Sequence, residues 1–313
     1  RKDVQKFQFN LMDNILSLHL DLINRRYRHG EYECFKINDP KPRVVHKASV
    51  SDRLLHRAIY RVLCPFFDKT FIADSYSCRL KKGTHKAVNR FREFAYRASR
   101  NDTRTCWIFK GDIRKFFASM DHLVLLDALR EHIPDENIMW LLNKVISSFS
   151  SGRISVGLPL GNLTSQLFAN IYLNEFDQFV KHKLKAEYYI RYADDFVILS
   201  ADKKRLEEQR NKIREFLRRN LKLELHSEKI FIKTLASGVD FLGLVNFFNH
   251  RVLRAKTKRR MLERIEKRHQ NWQNKLIPEE SFGQSMQSYL GTLKHCNGYK
   301  IEKRYVTDNG CLC

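Results

Sequence analysis

Tyr192-Ala193-Asp194-Asp195 sets two adjacent acids between short apolar runs, Tyr188-Tyr189-Ile190 before and Phe196-Val197-Ile198-Leu199 after. Runs of this length and composition, bounded by polar residues, predict a buried hairpin. Two carboxylates at its tip repel each other and lose hydration, and a divalent cation offsets both effects. Read on its own, the tetrapeptide also suits an exposed Asp-Asp turn. A third acid stands in a similar setting: Trp107-Ile108-Phe109-Lys110-Gly111-Asp112 reads as a strand ending at Asp112, followed by the pair Phe116-Phe117. An acid at a strand end and an acid pair on a hairpin can meet side by side in a sheet. Two Mg²⁺ ions held there, roughly 3.5–4 Å apart, would clamp the attacking and leaving oxygens of a phosphoryl transfer. Oxygen-only ligands favour Mg²⁺ or Mn²⁺ over zinc.

Elements able to position these acids are legible around them. Helical periodicity covers residues 4–28, with Phe7, Leu11, Ile15, Leu18 and Leu22 on one face, and residues 51–67, with Leu55, Ile59 and Val62 inward and Pro65 as breaker. Residues 71–79 read as extended, and residues 84–99 as a helix burying Val88, Phe91 and Phe94. Helices follow over 123–132, 136–149, 163–184 and 201–220. Short strands are predicted at 223–225, 230–232 and 239–248, with 251–253 pairing back. This mixed order predicts an α+β fold with an antiparallel sheet.

From Arg254 the composition turns basic. Lys256, Lys258, Arg259, Arg260, Arg264, Lys267 and Arg268 recur at helical spacing. A solvated surface helix explains most such runs; here the basic residues occupy several faces of a chain carrying 58 Lys+Arg against 35 Asp+Glu, net +23. That balance favours a polyanionic partner through counterion release. No apolar run reaches ~18 residues and no signal-peptide pattern is visible, so no membrane is expected. Seven scattered cysteines, with Cys34, Cys64, Cys78 and Cys106 in apolar contexts, predict reduced, mostly buried thiols and a cytoplasmic setting. Cys311 and Cys313 form a weak metal signal.

With its acids in this order, the chain resembles a reverse transcriptase from about Tyr27 to Tyr299. Asp112 matches the acid of the first palm motif and Tyr192-Ala193-Asp194-Asp195 the second. Between them, Gly157-Leu158-Pro159-Leu160-Gly161-Asn162-Leu163-Thr164-Ser165-Gln166 carries Leu160-Gly161 and Ser165-Gln166 where most retroelement polymerases have Gln-Gly and Ser-Pro. That departure is similar to the reverse transcriptases of diversity-generating retroelements, of the group II intron-like bacterial and phage type, and to some defence-associated relatives.

The resemblance implies a right-hand polymerase, fingers and palm over residues 1–250 and a helical thumb over residues 251–313. It implies metal ligation by Asp112, Asp194 and the Ile113 carbonyl, with Asp195 as a secondary ligand, and Phe117 as the steric gate beneath the sugar while Phe116 is core. For the triphosphate it offers Arg43, Arg79, Lys41 and Lys81, with Arg43 foremost because a forked guanidinium suits phosphate oxygens; Arg79 is alternatively a template contact. Lys229 matches a lysine that protonates pyrophosphate, or is an ordinary surface lysine. Leu160, Gly161, Asn162 and Gln166 would lie by the nascent base pair, Gln166 near the dNTP, and similar substitutions accompany copying errors at template adenines. Phe241-Leu242-Gly243 matches the primer grip. Tyr289 to His295 resembles a thumb block of the same subfamily, with His295 read as core. Implied partners are a template RNA, primer and cDNA, dNTPs and a small basic oligomeric accessory protein, in a bacterial or phage-encoded system. A non-catalytic RNA-binding scaffold would tolerate loss of the acids, which this chain retains.

Overall fold

The amphipathic stretch expected as one helix over residues 4–28 is two. In the computed structural model, which describes residues 2–38 and 42–306, α1 (Lys2–Phe9) and α2 (Leu11–Ile23) meet at Asn10, whose backbone leaves the helical region at φ −114° and ψ 46°. The stripe expected to face inward is not buried: Phe7, Leu18 and Leu22 are half-buried, and Leu11 and Ile15 are exposed. α2 is apolar on more than one face, so periodicity finds the helix without choosing its covered side.

β1 (Glu33–Ile37), which periodicity missed, pairs antiparallel with β2 (Arg43–Lys47), Glu33 opposite Lys47 and Ile37 opposite Arg43. α3 (Val50–Phe67) starts at Ser49. The Asp52 N–H donates to Ser49 Oγ, and the Ser49 hydroxyl donates back to the Asp52 carboxylate, a reciprocal cap that satisfies an orphan donor. Pro65 sits inside its last turn rather than ending it. The buried row runs Leu55, Ile59, Leu63 and Phe67 at i, i+4 spacing, and Val62, expected inward, is 69% exposed. Residues 71–79 form turns with one parallel bridge, Ser75 to Arg191, instead of a strand.

The chain divides into two compact units, residues 1–83, 110–197 and 207–230, and residues 84–109, 198–206 and 231–313. α4 (Thr84–Ala98) opens the second and buries Val88, Phe91 and Phe94 as expected. β3 (Trp107–Asp112) delivers its last residues to the first unit. There follow α5 (Phe116–Ser119), α6 (His122–Arg130) and α7 (Glu136–Ser147), the last two N-capped by Asp121 and Asp135. α8 (Leu163–Gln178) packs against α3 and α6 and runs into a π turn, Phe179–Lys183. The hairpin β4 (Tyr188–Tyr192) and β5 (Asp195–Ser200) gives the strand order β4-β5-β3. α9 (Lys203–Asn220) then buries Ile213 and Leu217.

In the second unit β6 (Phe231–Thr234) lies beside the start of β3. β7 (Val239–Phe241), β8 (Leu244–Asn246) and β9 (Arg251–Leu253) make a three-stranded antiparallel sheet. One strand was expected over 239–248; Leu242 and Gly243, at φ +53° and +86°, turn it into a hairpin. α10 (Ala255–Gln273), α11 (Glu279–Leu293) and α12 (Tyr299–Val306) follow, with Trp272 stacked on Phe282 at 5.3 Å between α10 and α11. The architecture is mixed α+β, antiparallel sheets with flanking helices. Of the thiols expected inside, Cys106 alone is buried among the described residues; Cys34 and Cys78 are exposed. Lys41, Cys311 and Cys313 lie outside the described residues. No described helix is long and apolar enough to cross a membrane.

Candidate active site

The acid pair sits where the hairpin turns. Ala193 and Asp194 link β4 to β5, and Ala193 takes φ +54°, a conformation that costs a non-glycine residue about 1 kcal/mol or more. A fully buried side chain holds this turn. Arg191 donates through Nε to Asp177 Oδ1 at 2.7 Å and through Nη2 to Asp177 Oδ2 at 2.6 Å, and through Nη1 to the Ala193 carbonyl at 3.2 Å and to Asn170 Oδ1 at 3.3 Å. Tyr189 donates its hydroxyl to the same carboxylate at 2.7 Å. Sequence reasoning missed Arg191, Asp177 and Asn170. The available signal was a charged residue inside an apolar strand and an acid within the otherwise buried α8.

Asp112 is brought to the hairpin by backbone pairing. The Ile113 N–H donates to the Asp194 carbonyl at 3.3 Å. Gly111 lets β5 approach: a Cβ there would stand 2.2 Å from the Phe196 ring. On the other side, residues 224–226 pair antiparallel with residues 112–114, through Arg114 N–H to Glu224 O and His226 N–H to Asp112 O, both 2.8 Å. The turn after this segment lays the Lys229 ammonium 2.8 Å from Asp112 Oδ1. Lys110 Nζ lies 3.4 Å from Asp195 Oδ1. The structure therefore brings together Asp112, Ile113, Asp194, Asp195 and Lys229.

Burial, reinforced by the Asp112 carboxylate and more weakly by Asp195, pushes Asp194 up to about 6, while Lys229 pulls the other way. Among the described residues no three His, Cys, Asp or Glu side chains gather as a group that could hold a metal. Mg²⁺ does not require such a cage, since one or two carboxylates plus substrate phosphates and water complete its shell. The desolvated Asp194 carboxyl beside Asp112, with oxygen donors only, fits a hard divalent cation.

The remaining predicted residues fall around this centre or away from it. Phe116 is 2% exposed and packs on Tyr172; Phe117 is half-buried, and its carbonyl accepts from the Leu158 N–H at 2.7 Å. Gln166 is exposed in the first turn of α8. Leu160 accepts the His46 N–H at 2.8 Å, and a Cβ on Gly161 (φ +115°) would stand 2.7 Å from Val45 Cγ1, so β2 lies on this turn. Arg43 is exposed on β2. Arg79 behaves differently from expectation. Its side chain is 7% exposed, it pairs with Asp68 at 2.6 Å and it donates to the carbonyls of Asp68, Ile72 and Ser75; the guanidinium is engaged in closing its own loop. Lys81 is exposed at φ +59°. Phe241, Leu242 and Gly243 belong to the second unit, Phe241 buried against Phe91 at 5.6 Å. His295 is half-buried and stacks on His85 at 3.6 Å.

The chain is similar to known proteins along much of its length. The chain is 29% identical to protein YkfC of Escherichia coli K12 over 67% of its own length and 63% of that protein's. It is 25% identical to the group II intron-encoded protein LtrA of Lactococcus lactis over 72% of its length and 47% of that protein's; it thus spans under two thirds of either relative. Apo telomerase from Candida tropicalis shares the fold, with a TM-score of 0.56, 11% identity, and coverage of 73% of this chain and 49% of that one. The pattern of the family Reverse transcriptase (RNA-dependent DNA polymerase) matches residues 36–245, more than half of the 313 residues, and the chain belongs to that family.

Proposed function

We propose that the chain is an RNA-directed DNA polymerase of the diversity-generating type, copying a template RNA into cDNA with errors concentrated at template adenines. The observation that carries the polymerase reading is the desolvated Asp194 carboxyl beside Asp112 at the hairpin tip. Residues 1–250 serve as fingers and palm and residues 251–313 as a basic thumb. The net charge of +23 supports nucleic acid as partner. A small basic oligomeric accessory protein and a bacterial or phage-encoded, cytoplasmic setting belong to the same reading.

The reaction joins a primer 3′-oxygen to the α-phosphorus of a dNTP and breaks the bond to the leaving pyrophosphate. Asp112 and Asp194, with the Ile113 carbonyl and Asp195 in support, would hold Mg²⁺ or Mn²⁺. When bound, such ions stabilise charge on the reacting phosphoryl oxygens and lower the pKa of the attacking hydroxyl. Lys229 would donate a proton to the leaving pyrophosphate, a reading supported by its ammonium lying 2.8 Å from Asp112. Arg43 meets the triphosphate with its forked donors. The Phe117 ring lies under the sugar and excludes a 2′-hydroxyl. Arg79 acts on the dNTP indirectly, by fixing the loop it closes. Leu160, Gly161 and Gln166 form the wall against the nascent base pair, and Leu242 with its neighbours steadies the primer.

The error-prone part of the reading rests on the resemblance, on Leu160 and Gln166 where most retroelement polymerases carry Gln and Pro. Discrimination is a difference of transition-state energies, so one lost contact of about 1.4 kcal/mol changes it tenfold. Deep sequencing of cDNA from the native RNA should show mismatches at template adenines, reduced by Leu160→Gln. Errors spread evenly over four template bases, or uniformly rare, would leave an intron-type or defence-associated enzyme as the better account; the likeness to LtrA supports the former. Asp194→Asn should abolish incorporation and leave RNA affinity within a few fold. Robust synthesis by that variant would reject the assignment of the acids, and the scaffold reading stands only if the wild type is inert too.

A further inference from the structure

Away from the acids, the second unit holds a cavity of about 480 Å³ with a basic lining. α4 contributes Asn89 and Arg92, the β8–β9 turn and β9 contribute His250 and Arg251, and the turn after α11 contributes Lys294 and His295. No Asp or Glu lines it among the described residues. Arg251 is 9% exposed, and its guanidinium donates to a neutral amide, Asn89 Oδ1, at 3.0 Å. Burial and Arg92 both depress the Arg251 pKa, and burial, His85 and Arg251 depress that of His295. Among the described residues this guanidinium has no carboxylate partner, the kind that usually offsets such burial. An anion among these donors supplies it.

We propose that this basin is a phosphate-binding site that grips the backbone of a nucleic-acid strand. The carrier of the phosphate is argued from the adjoining cavity of about 560 Å³, which shares Asn89, Arg92 and Asn249 and adds Tyr96, 54% exposed, and Phe248. Aromatic faces beside a basic groove are where the bases of a single strand stack while its phosphates track the cations. Glu93 and Asp102 line that second cavity, so the strand's phosphate belongs on the Arg92–Arg251 side and its base on the Tyr96 side. The choice of a strand over a free phosphate rests on the polymerase reading; the basic cavity itself does not.

The test is fluorescence anisotropy of a labelled 20-nucleotide single-stranded RNA, without divalent ions or dNTPs, from 50 to 200 mM salt. Arg92→Ala with Lys294→Ala removes two exposed cations and leaves the core intact; Arg251→Gln is the buried companion, used only if its thermal melt is cooperative. The double variant should bind ~10-fold or more weakly, with a salt slope shallower by about 1. Unchanged affinity and slope in the folded double variant overturn the proposal. Loss of inorganic tripolyphosphate binding with RNA affinity intact overturns the strand and leaves a free-anion site. Failure of wild-type primer extension, with the RNA result as expected, removes the polymerase reading alone.

Discussion

Arg191 and Asp177 form a two-pronged ion pair in which neither side chain is exposed to solvent, and the same guanidinium holds the Ala193 carbonyl at the turn that carries Asp194. The pair fixes the main chain of the acid pair from behind, and Tyr189 completes the carboxylate's hydrogen bonding. Burial of both ions makes the pair intolerant of losing one member, because the other is left uncompensated. Asp177→Ala should therefore destabilise the fold by roughly 3–5 kcal/mol, read as a lowered urea midpoint. The double variant Arg191→Met, Asp177→Leu should recover most of that loss. Equal destabilisation of single and double variants would show that the pair acts through packing rather than charge.

Lys229 offers a separable prediction. Its ammonium reaches Asp112 because residues 224–226 pair with the end of β3. If it donates a proton to pyrophosphate, Lys229→Ala should slow single-turnover incorporation by ~10²-fold with a small change in dNTP affinity. Lys229→Arg, which keeps the charge and loses the accessible proton, should be slow as well. Recovery of the full rate in the arginine variant would assign the residue to charge neutralisation alone.

The sequence picks out the proposed acids more readily than the residues that position them. The sequence singles out Asp112, Asp194 and Asp195 because an acid among strand-forming residues violates the local pattern. Arg191 violates it equally, yet its partner lies 14 residues back on another element, and no local pattern joins them. Arg79 shows the reverse difficulty: its basic, loop-borne context resembles a phosphate contact, while its guanidinium is engaged by the Asp68 carboxylate and by the carbonyls of Asp68, Ile72 and Ser75. Val62 and the α2 stripe were misplaced because periodicity finds a helix but not which apolar row meets the core. The hairpin at Leu242-Gly243 was hidden because a leucine rarely occupies a left-handed turn.

His56 gives the fold a pH dependence with a definite sign. It is 2% exposed, meets Thr164 Oγ1 through Nδ1 at 3.2 Å and His29 through Nε2 at 3.2 Å, and burial, with His29, lowers it to about 4. The unfolded chain binds this proton near 6.5. Between those values the unfolded state holds more protons, so stability is full above about 6.5 and falls as pH drops towards 4. The loss is of order 3 kcal/mol at most. Urea midpoints measured from pH 7 to 4 should decline more steeply in the wild type than in His56→Gln. Parallel declines would place the acid sensitivity in other groups, Asp3 among them, whose pKa its Lys47 hydrogen bond lowers to about 2.

Leu242 carries a conformational cost that can be weighed against the primer role proposed for it. Its φ of +53° opens the β7–β8 turn, a position that asparagine fills far more readily, and its side chain is neither fully buried nor fully exposed. A branched apolar residue kept there works against the turn by about 1 kcal/mol, which is intelligible if the side chain bears on the primer. Leu242→Asn should raise the urea midpoint by an amount equivalent to about 1 kcal/mol and weaken binding of a primer–template duplex several fold. The two readouts oppose each other, so a general loss of structure cannot imitate the result. Higher stability with unchanged duplex affinity would keep the strain and remove the grip; lower stability would mean that Leu242 packs within its own unit more than its backbone angle costs.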